Sequence, residues 1–328
     1  MKSPVTDKEM TLQKEKRVLI YRKEKIEIVY HYYLCTDTGE HFEDEQLVNL
    51  NFAQVYNQYR ERLRLPFPDE IKTIREKYGV SARKMSDILG FGPNTYGNYE
   101  KGEIPSKTNA RLIQMANNPE EFRELAGFSG TLSSSLKKKI DELIEKGREP
   151  DFWNFENIFR ERAQSSLNGY RMLKQEKVFQ MILFFAEKLR PWKTKLNKLL
   201  FYTDFLHFKR YGYAISGLKY AAIDYGPVPD DYELIFTFGR KNEVFKNVYQ
   251  EINENATGEL IEPMKDKRFS PALFETNELE TMNTILKQFK DTTSRQLVEM
   301  SHEEKAWKEN YKKNKYIDYR YGFDLLHI

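Results

Sequence analysis

Residues 192–239, WKTKLNKLLFYTDFLHFKRYGYAISGLKYAAIDYGPVPDDYELIFTFG, decide how the second half of this chain is read. Leu196, Leu199, Leu200, Thr203, Leu206 and Tyr211 recur at helical spacing, so the segment is expected to form a core helix with one apolar stripe. Lys195, Lys198 and Lys209 are then expected to reach water. Tyr211-Gly212 stops that helix, Tyr220 to Tyr225 reads as extended, and Gly226-Pro227-Val228-Pro229 is expected as a turn that presets the backbone for a further helix. Asp230 and Asp231 favour that helix start, because carboxylates there face the positive end of its dipole.

Further along, Leu279, Met282, Ile285, Leu286 and Phe289 mark another helix, and Ser301 with Glu304 makes a capping-box pattern before Trp307. The order KLLFYTDFLH, a glycine-bearing connection, DYGPVPDDYELIF and the late segment Leu297 to Trp307 resembles the Panacea domain, also called SocA-like or GepA-like, which is widespread in bacterial antitoxins. The resemblance covers roughly the last half of the chain. It implies a helical domain that neutralises a toxin by direct binding.

Composition bounds the alternatives. Across 328 residues, 53 basic side chains nearly cancel 50 acidic ones, so any nucleic-acid surface must be local. The single cysteine, Cys35, excludes an intramolecular disulfide framework and a cysteine-based zinc site within one chain. The charged start MKSPVTDKEMTLQKEKR lacks an apolar signal region, and no run approaches the ~20 apolar residues of a spanning helix. A cytoplasmic protein without membrane association is expected.

Residues 1–15 are polar and are expected to be loose. From Arg17 the pattern turns extended: Ile26, Ile28, Tyr30, Tyr32 and Leu34 alternate with their neighbours, and Thr36 to Glu40 is a turn. A small antiparallel β unit follows. The helix expected from Glu43 to Leu65, with Leu47, Leu50, Phe52, Val55, Tyr56, Tyr59 and Leu63 inward, would cover it. This piece resembles the region of MqsA-type antitoxins that joins a zinc ribbon to a helix-turn-helix. The paired cysteines that hold zinc in that family are missing here, so a metal-free relic is expected. His31 and His41 flank Cys35 as ordinary hairpin residues.

After Pro66 and Pro68, Asp69 is expected to cap a helix that ends at Gly79. Ser81 starts SARKMSDIL with Met85, Ile88 and Leu89 inward, and Gly90 closes it. A turn at Phe91-Gly92 leads into a short helix, PNTYGNYEKG. Helix, glycine turn, helix is the geometry that seats a second helix in the major groove. The phrase GVSARKMSDILGFGPNTYGNYEKGEIPS strongly resembles the Cro/CI (Xre) family of helix-turn-helix repressors. By that match Pro93, Asn94, Thr95, Tyr96 and Asn98 lie on or near the leading turn of the recognition helix. Asn94, Thr95 and Asn98 would read base edges, while Arg83, Lys84 and Lys101 would hold phosphates. Ala82 stands where many members of the family have a phosphate-holding Gln. Between Lys72 and Arg111, eight basic residues face four acidic ones, a local excess of four.

Gly127 to Ser135 reads as a hinge. The chain is thus expected to be mainly α with a small N-terminal antiparallel β unit (α+β). Its four parts are a ribbon-like unit and helix (1–65), a helix-turn-helix domain (66–128), a linker (129–169) and a helical Panacea-like domain (170–328).

No enzyme, cofactor or metal site is expected. The five histidines, His31, His41, His207, His302 and His327, form no HExxH or nucleophile motif, and Asp230 and Asp231 are adjacent at a helix start instead of opposed across a cleft. The resemblances imply an antitoxin of a type II toxin–antitoxin pair, with a cognate protein toxin and operator DNA as partners, acting as a homodimer or higher oligomer. The alternatives are a phage- or mobile-element-borne transcriptional regulator without a toxin, and an adaptor that delivers its partner to a protease.

Overall fold

In the computed structural model, which describes residues 1–148, 155–159, 163–253, 256–314 and 316–328, the chain opens with an antiparallel hairpin of β1 (Thr11–Tyr21) and β2 (Glu24–Leu34). Its two-residue loop is Arg22-Lys23, both at positive φ, which suits the twist of the flanking strands. Strand β3 (His41–Phe42) pairs with only the end of β2. The first ten residues, expected to be loose, instead form a turn closed by a Lys2–Glu9 bridge, with Ser3 and Met10 buried.

Helix α1 (Glu45–Leu63) completes the edge that β3 leaves open. The Asn51 carboxamide bonds both the N–H and the C=O of His31, each at 2.9 Å, and that of Gln54 bonds the N–H and C=O of Val29 at 3.0 and 2.8 Å. Two side chains thus do what a further strand would do. Phe52, expected inward, is 50% exposed, because the inward positions beside it are taken by these amides.

Six helices follow: α2 (Pro68–Lys77), α3 (Ala82–Leu89), α4 (Thr95–Glu100), α5 (Lys107–Met115), α6 (Pro119–Phe128) and α7 (Ser134–Arg148). The short α8 (Phe155–Ile158) comes next. Helix α2 is capped two residues before the expected Asp69: Phe67 is the N-cap, Pro68 takes the first helical position, and Glu70 accepts from the Phe67 N–H at 3.3 Å. One cluster joins Ile71, Met85, Ile88, Tyr96, Ile113 and Phe122 to Leu136 and Ile140 of α7. The hinge expected at 127–135 is therefore a tight turn between packed helices, with Ser133 accepting from the Leu136 N–H at 3.2 Å. Much of the rest of the expected linker, 149–154 and 160–162, lies outside the described residues.

The remainder is built on α9 (Gln175–Leu189) and α10 (Lys193–Tyr211). The two-stranded β4 (Tyr220–Ile223) and β5 (Gly226–Pro229) come next, then α11 (Tyr232–Lys241) and the hairpin of β6 (Phe245–Asn253) and β7 (Ala256–Pro263). Helices α12 (Thr276–Phe289), α13 (Ser294–Glu303) and α14 (Lys305–Lys308) and a 3-10 turn at Tyr319–Asp324 complete it. Helix α10 packs against α9, β5, α12, α13 and the 3-10 turn. Every residue from Lys195 to Phe208 is buried, so the solvated lysine face expected from sequence does not exist.

Gly226 to Pro229 is strand β5 and not a turn; the turn falls at Asp224-Tyr225. The Asp230 N–H donates to Lys219 O at 2.7 Å, which sets the alternation so that Pro227 and Pro229 occupy non-hydrogen-bonded positions and their missing N–H groups cost nothing. The capping box lies at Thr293 and Gln296, eight residues before the expected one; Ser301 is inside α13 and donates to Val298 O at 2.8 Å.

The chain is mainly helical with a small N-terminal antiparallel sheet. It divides into two compact units, Met1–Val55 with Arg162–Ile328, and Tyr56–Glu161. This differs from the four parts expected. The hairpin belongs with the C-terminal half because Lys14 Nζ donates to Phe323 O at 2.6 Å and the His31 ring lies 4.8 Å from that of Phe323.

Candidate functional site

Helices α3 and α4 are held at their angle by buried polar contacts. Ser81 caps α3 by accepting from the Lys84 N–H at 3.1 Å, and Gly90, at φ 71°, ends it in the left-handed region that favours glycine. Ser86, fully buried, accepts from the Tyr96 N–H at 3.1 Å, tying the second helix to the first. Tyr96 donates its hydroxyl to Ile71 O at 2.8 Å, which ties α4 to α2. A Cβ built on Gly97 would lie 3.7 Å from the Ala82 methyl, so small residues at both positions let α3 and α4 approach closely. This gives Ala82 a packing reason.

Arg75 and Glu100 form a second brace. Two bonds, at 2.5 and 3.2 Å, join the guanidinium to the carboxylate, and Arg75 also donates to Val80 O at 3.0 Å. The Glu100 hydrogen bond, with charge attraction from Glu100 added, holds the guanidinium pKa above its ordinary value even though burial opposes it. Sequence reasoning counted Arg75 within the basic excess and missed this pairing, for which no local signal exists across 25 residues.

What remains outward is a short list. Arg83, Asn94, Asn98 and Lys101 are exposed, and Lys84 and Thr95 are half-buried. Asn94 starts α4 without a side-chain cap, and neither its carboxamide nor that of Asn98 is hydrogen-bonded among the described residues. Four apart at the start of a helix, the two share one face, with Cβ atoms about 5–6 Å apart. Tyr96 departs from the expectation that placed it among the DNA-contacting residues. It is 0% exposed and belongs to the core, and burial pushes its phenol well above the ordinary range.

The polar side chains of α10 point the other way. Asp204, fully buried, accepts from the N–H groups of Ile215 and Ser216 at 2.9 Å each, from Ser216 Oγ at 2.5 Å and from the Tyr220 hydroxyl at 2.7 Å. Lys195 donates to Lys290 O and Thr292 O, Lys198 to Pro227 O at 2.8 Å, and Lys209 to Ile328 O at 2.8 Å. Burial brings the Lys198 amine down to about 7. His207 Nδ1 lies 3.1 Å from Thr281 Oγ1, and burial holds its pKa well below the ordinary value. Glu278 meets Lys177 at 2.5 Å. These groups knit elements together. They do not converge on an open cleft.

Asp231 is the N-cap of α11 in the left-handed region, without a side-chain cap bond, and His302 stacks on Trp307 at 4.0 Å. Among the described residues no group of three or more His, Cys, Asp or Glu side chains could hold a metal ion, and no helix is long and apolar enough to cross a membrane.

Comparison with known families places these two regions. Residues 71–118 match the family described as helix-turn-helix, and residues 196–308 match antitoxin SocA-like, Panacea domain. No curated protein matches the chain. Both matched families are regulatory and not typically enzymatic. With a helix-turn-helix followed by an antitoxin SocA-like Panacea domain, the chain has the HTH-Panacea architecture, that of a regulator of antitoxin type.

Proposed function

We propose that this protein is a cytoplasmic antitoxin of a type II toxin–antitoxin pair, which blocks a separately encoded protein toxin through residues 170–328 and represses the shared promoter through its helix-turn-helix. The observation that carries the DNA half is the pair Asn94 and Asn98: two exposed carboxamides on one face of a braced helix, spent on neither capping nor packing. Such amides present donor and acceptor together and match the N6 and N7 edge of adenine. Arg83, Lys84 and Lys101 supply the phosphate contacts, and Thr95 meets a phosphate or a thymine methyl. A homodimer on an inverted repeat follows from the way such modules pair with half-sites. The Panacea match supports the neutralising half.

Two measurements test the reading. Co-expression with each neighbouring reading frame should reveal one whose product arrests growth alone and is silenced by this protein. Titration onto the protein's own upstream DNA at two salt concentrations should give tight, salt-sensitive, sequence-selective binding. Growth arrest that persists in every pairing, together with equal affinity for unrelated DNA, would remove the proposal.

A further inference from the structure

Strand order in the N-terminal sheet is β1-β2-β3, so β1 has a neighbour on one side only. Which of its residues offer backbone groups on the open side follows from β2. The N–H and C=O of Val29 and His31 are taken by Gln54 and Asn51, so neither residue bonds to β1. Lys16 and Lys14 stand opposite them. In an antiparallel ladder both members of such a pair turn their backbone groups away from each other, and the pattern repeats at every second residue. Leu12, Lys14, Lys16, Val18 and Ile20 therefore point N–H and C=O away from β2.

The devices that usually guard such an edge are few here. Strand β1 runs 11 residues in unbroken register without glycine, proline or bulge, and Leu12, Val18 and Ile20 are 55%, 59% and 74% exposed. Of its outward lysines, Lys14 is drawn back to Phe323 O and Asp324, which leaves Lys16. Lys16 is also the midpoint of Thr11–Tyr21. A second β1 laid antiparallel across a two-fold axis at Lys16 thus pairs over the whole strand, and it sets outward residues opposite outward residues, as backbone bonding requires. This register puts Leu12 opposite Ile20 and Val18 opposite the stem of Lys14 on one face, and Glu15 opposite Arg17 on the other. Glu15 already accepts from Arg17 Nε within the strand, so the four groups of two strands close into a ring of alternating sign. Moving the axis one residue either way sets Glu15 against Glu15 or Arg17 against Arg17. The charge opposing the pair is Lys16 against Lys16, and each of these exposed ammonium groups has Glu27 3.8 Å away.

We propose that β1 pairs with β1 of a second copy of this chain, joining two three-stranded sheets into one across a two-fold axis at Lys16. This deepens the homodimer invoked above by giving it a contact, and it is tested without DNA or toxin, so that either reading can fail alone. Sedimentation velocity of the full-length protein over a concentration series should show a monomer–dimer equilibrium. Val18→Pro removes an N–H that β2 does not use, so melting temperature should be retained while self-association weakens at least about tenfold. Glu15→Arg and Arg17→Glu each place like charges opposite one another and should each weaken it about tenfold, whereas an equimolar mixture of the two variants restores the alternation and should associate within about threefold of the wild type. A wild type that stays monomeric throughout overturns the proposal, as does a dimer that none of these substitutions weakens, or a loss in the charge variants that mixing does not restore. A dimer that Val18→Pro leaves intact while abolishing toxin binding overturns it in favour of a strand from the toxin.

Discussion

Helices α4 and α10 both carry polar side chains that a minimal core does not need, and they put them to opposite use. On α4 the carboxamides of Asn94 and Asn98 have no partner within the described protein, while the buried Tyr96 and the Arg75–Glu100 brace hold the helix in place. On α10 each polar group named above meets another part of the chain, from Asp204 with its four donors to Lys198 on Pro227 O. A polar residue left unspent at a rigid surface is available to a ligand. One that is fully spent inside is architecture.

That contrast can be broken by substitution. Asp204→Ala strips a buried carboxylate from two backbone N–H groups and two hydroxyls, and should destabilise the unit holding α10 by about 3–5 kcal/mol. Urea unfolding measures it, and a loss below about 1 kcal/mol would show that the network is incidental. Asn51→Ala and Gln54→Ala should each cost about 1–3 kcal/mol in the same experiment, because each leaves an N–H and a C=O of β2 unpaired.

The Lys198 amine sets a pH dependence. Its folded value, about 7, lies below the ordinary lysine value of about 10.4, so between the two the unfolded chain holds more protons. Stability should therefore rise with pH across that window, by at most about 1.4 kcal/mol per pH unit. Lys198→Met should flatten the rise; an unchanged slope in unfolding titrations would show that the amine stays charged when folded.

The smallest stability effect belongs to α4. Asn94→Ala with Asn98→Ala should change unfolding free energy by no more than about 0.5 kcal/mol while abolishing preference for the operator. Lys101→Ala should weaken binding to all DNA alike and lower the salt slope by about one. Retained preference in the double variant would transfer base reading to other residues.

Helical periodicity is a local property, and what was legible in the sequence was local. Gly90, Ser81 and the stripe Met85, Ile88, Leu89 announced α3 and its turn, and Leu196, Leu199 and Leu200 announced α10. The burial of Lys198 was not legible, because its acceptor, Pro227 O, lies 29 residues further on. Tyr96 was misplaced for a similar reason: the motif match fixes its position on the helix, whereas the hydroxyl's acceptor, Ile71 O, comes from 25 residues upstream. In α1 the hydrophobic pattern drew Phe52 inward, since an apolar count gives no weight to carboxamides that complete a strand edge. The serine-rich stretch before α7 looked like a hinge by composition, and only the packing of Leu136 and Ile140 shows otherwise.

The carboxamides of Asn51 and Gln54 also limit what the sheet can become. By filling the hydrogen-bonding flank of β2 with short side chains instead of backbone, they leave no continuous template there for a strand from a neighbouring molecule. Pairing with a further strand is left to the outer side of β1, where Lys16 stands among the exposed Leu12, Val18 and Ile20, so that this edge, and not β2, is where a second strand would add.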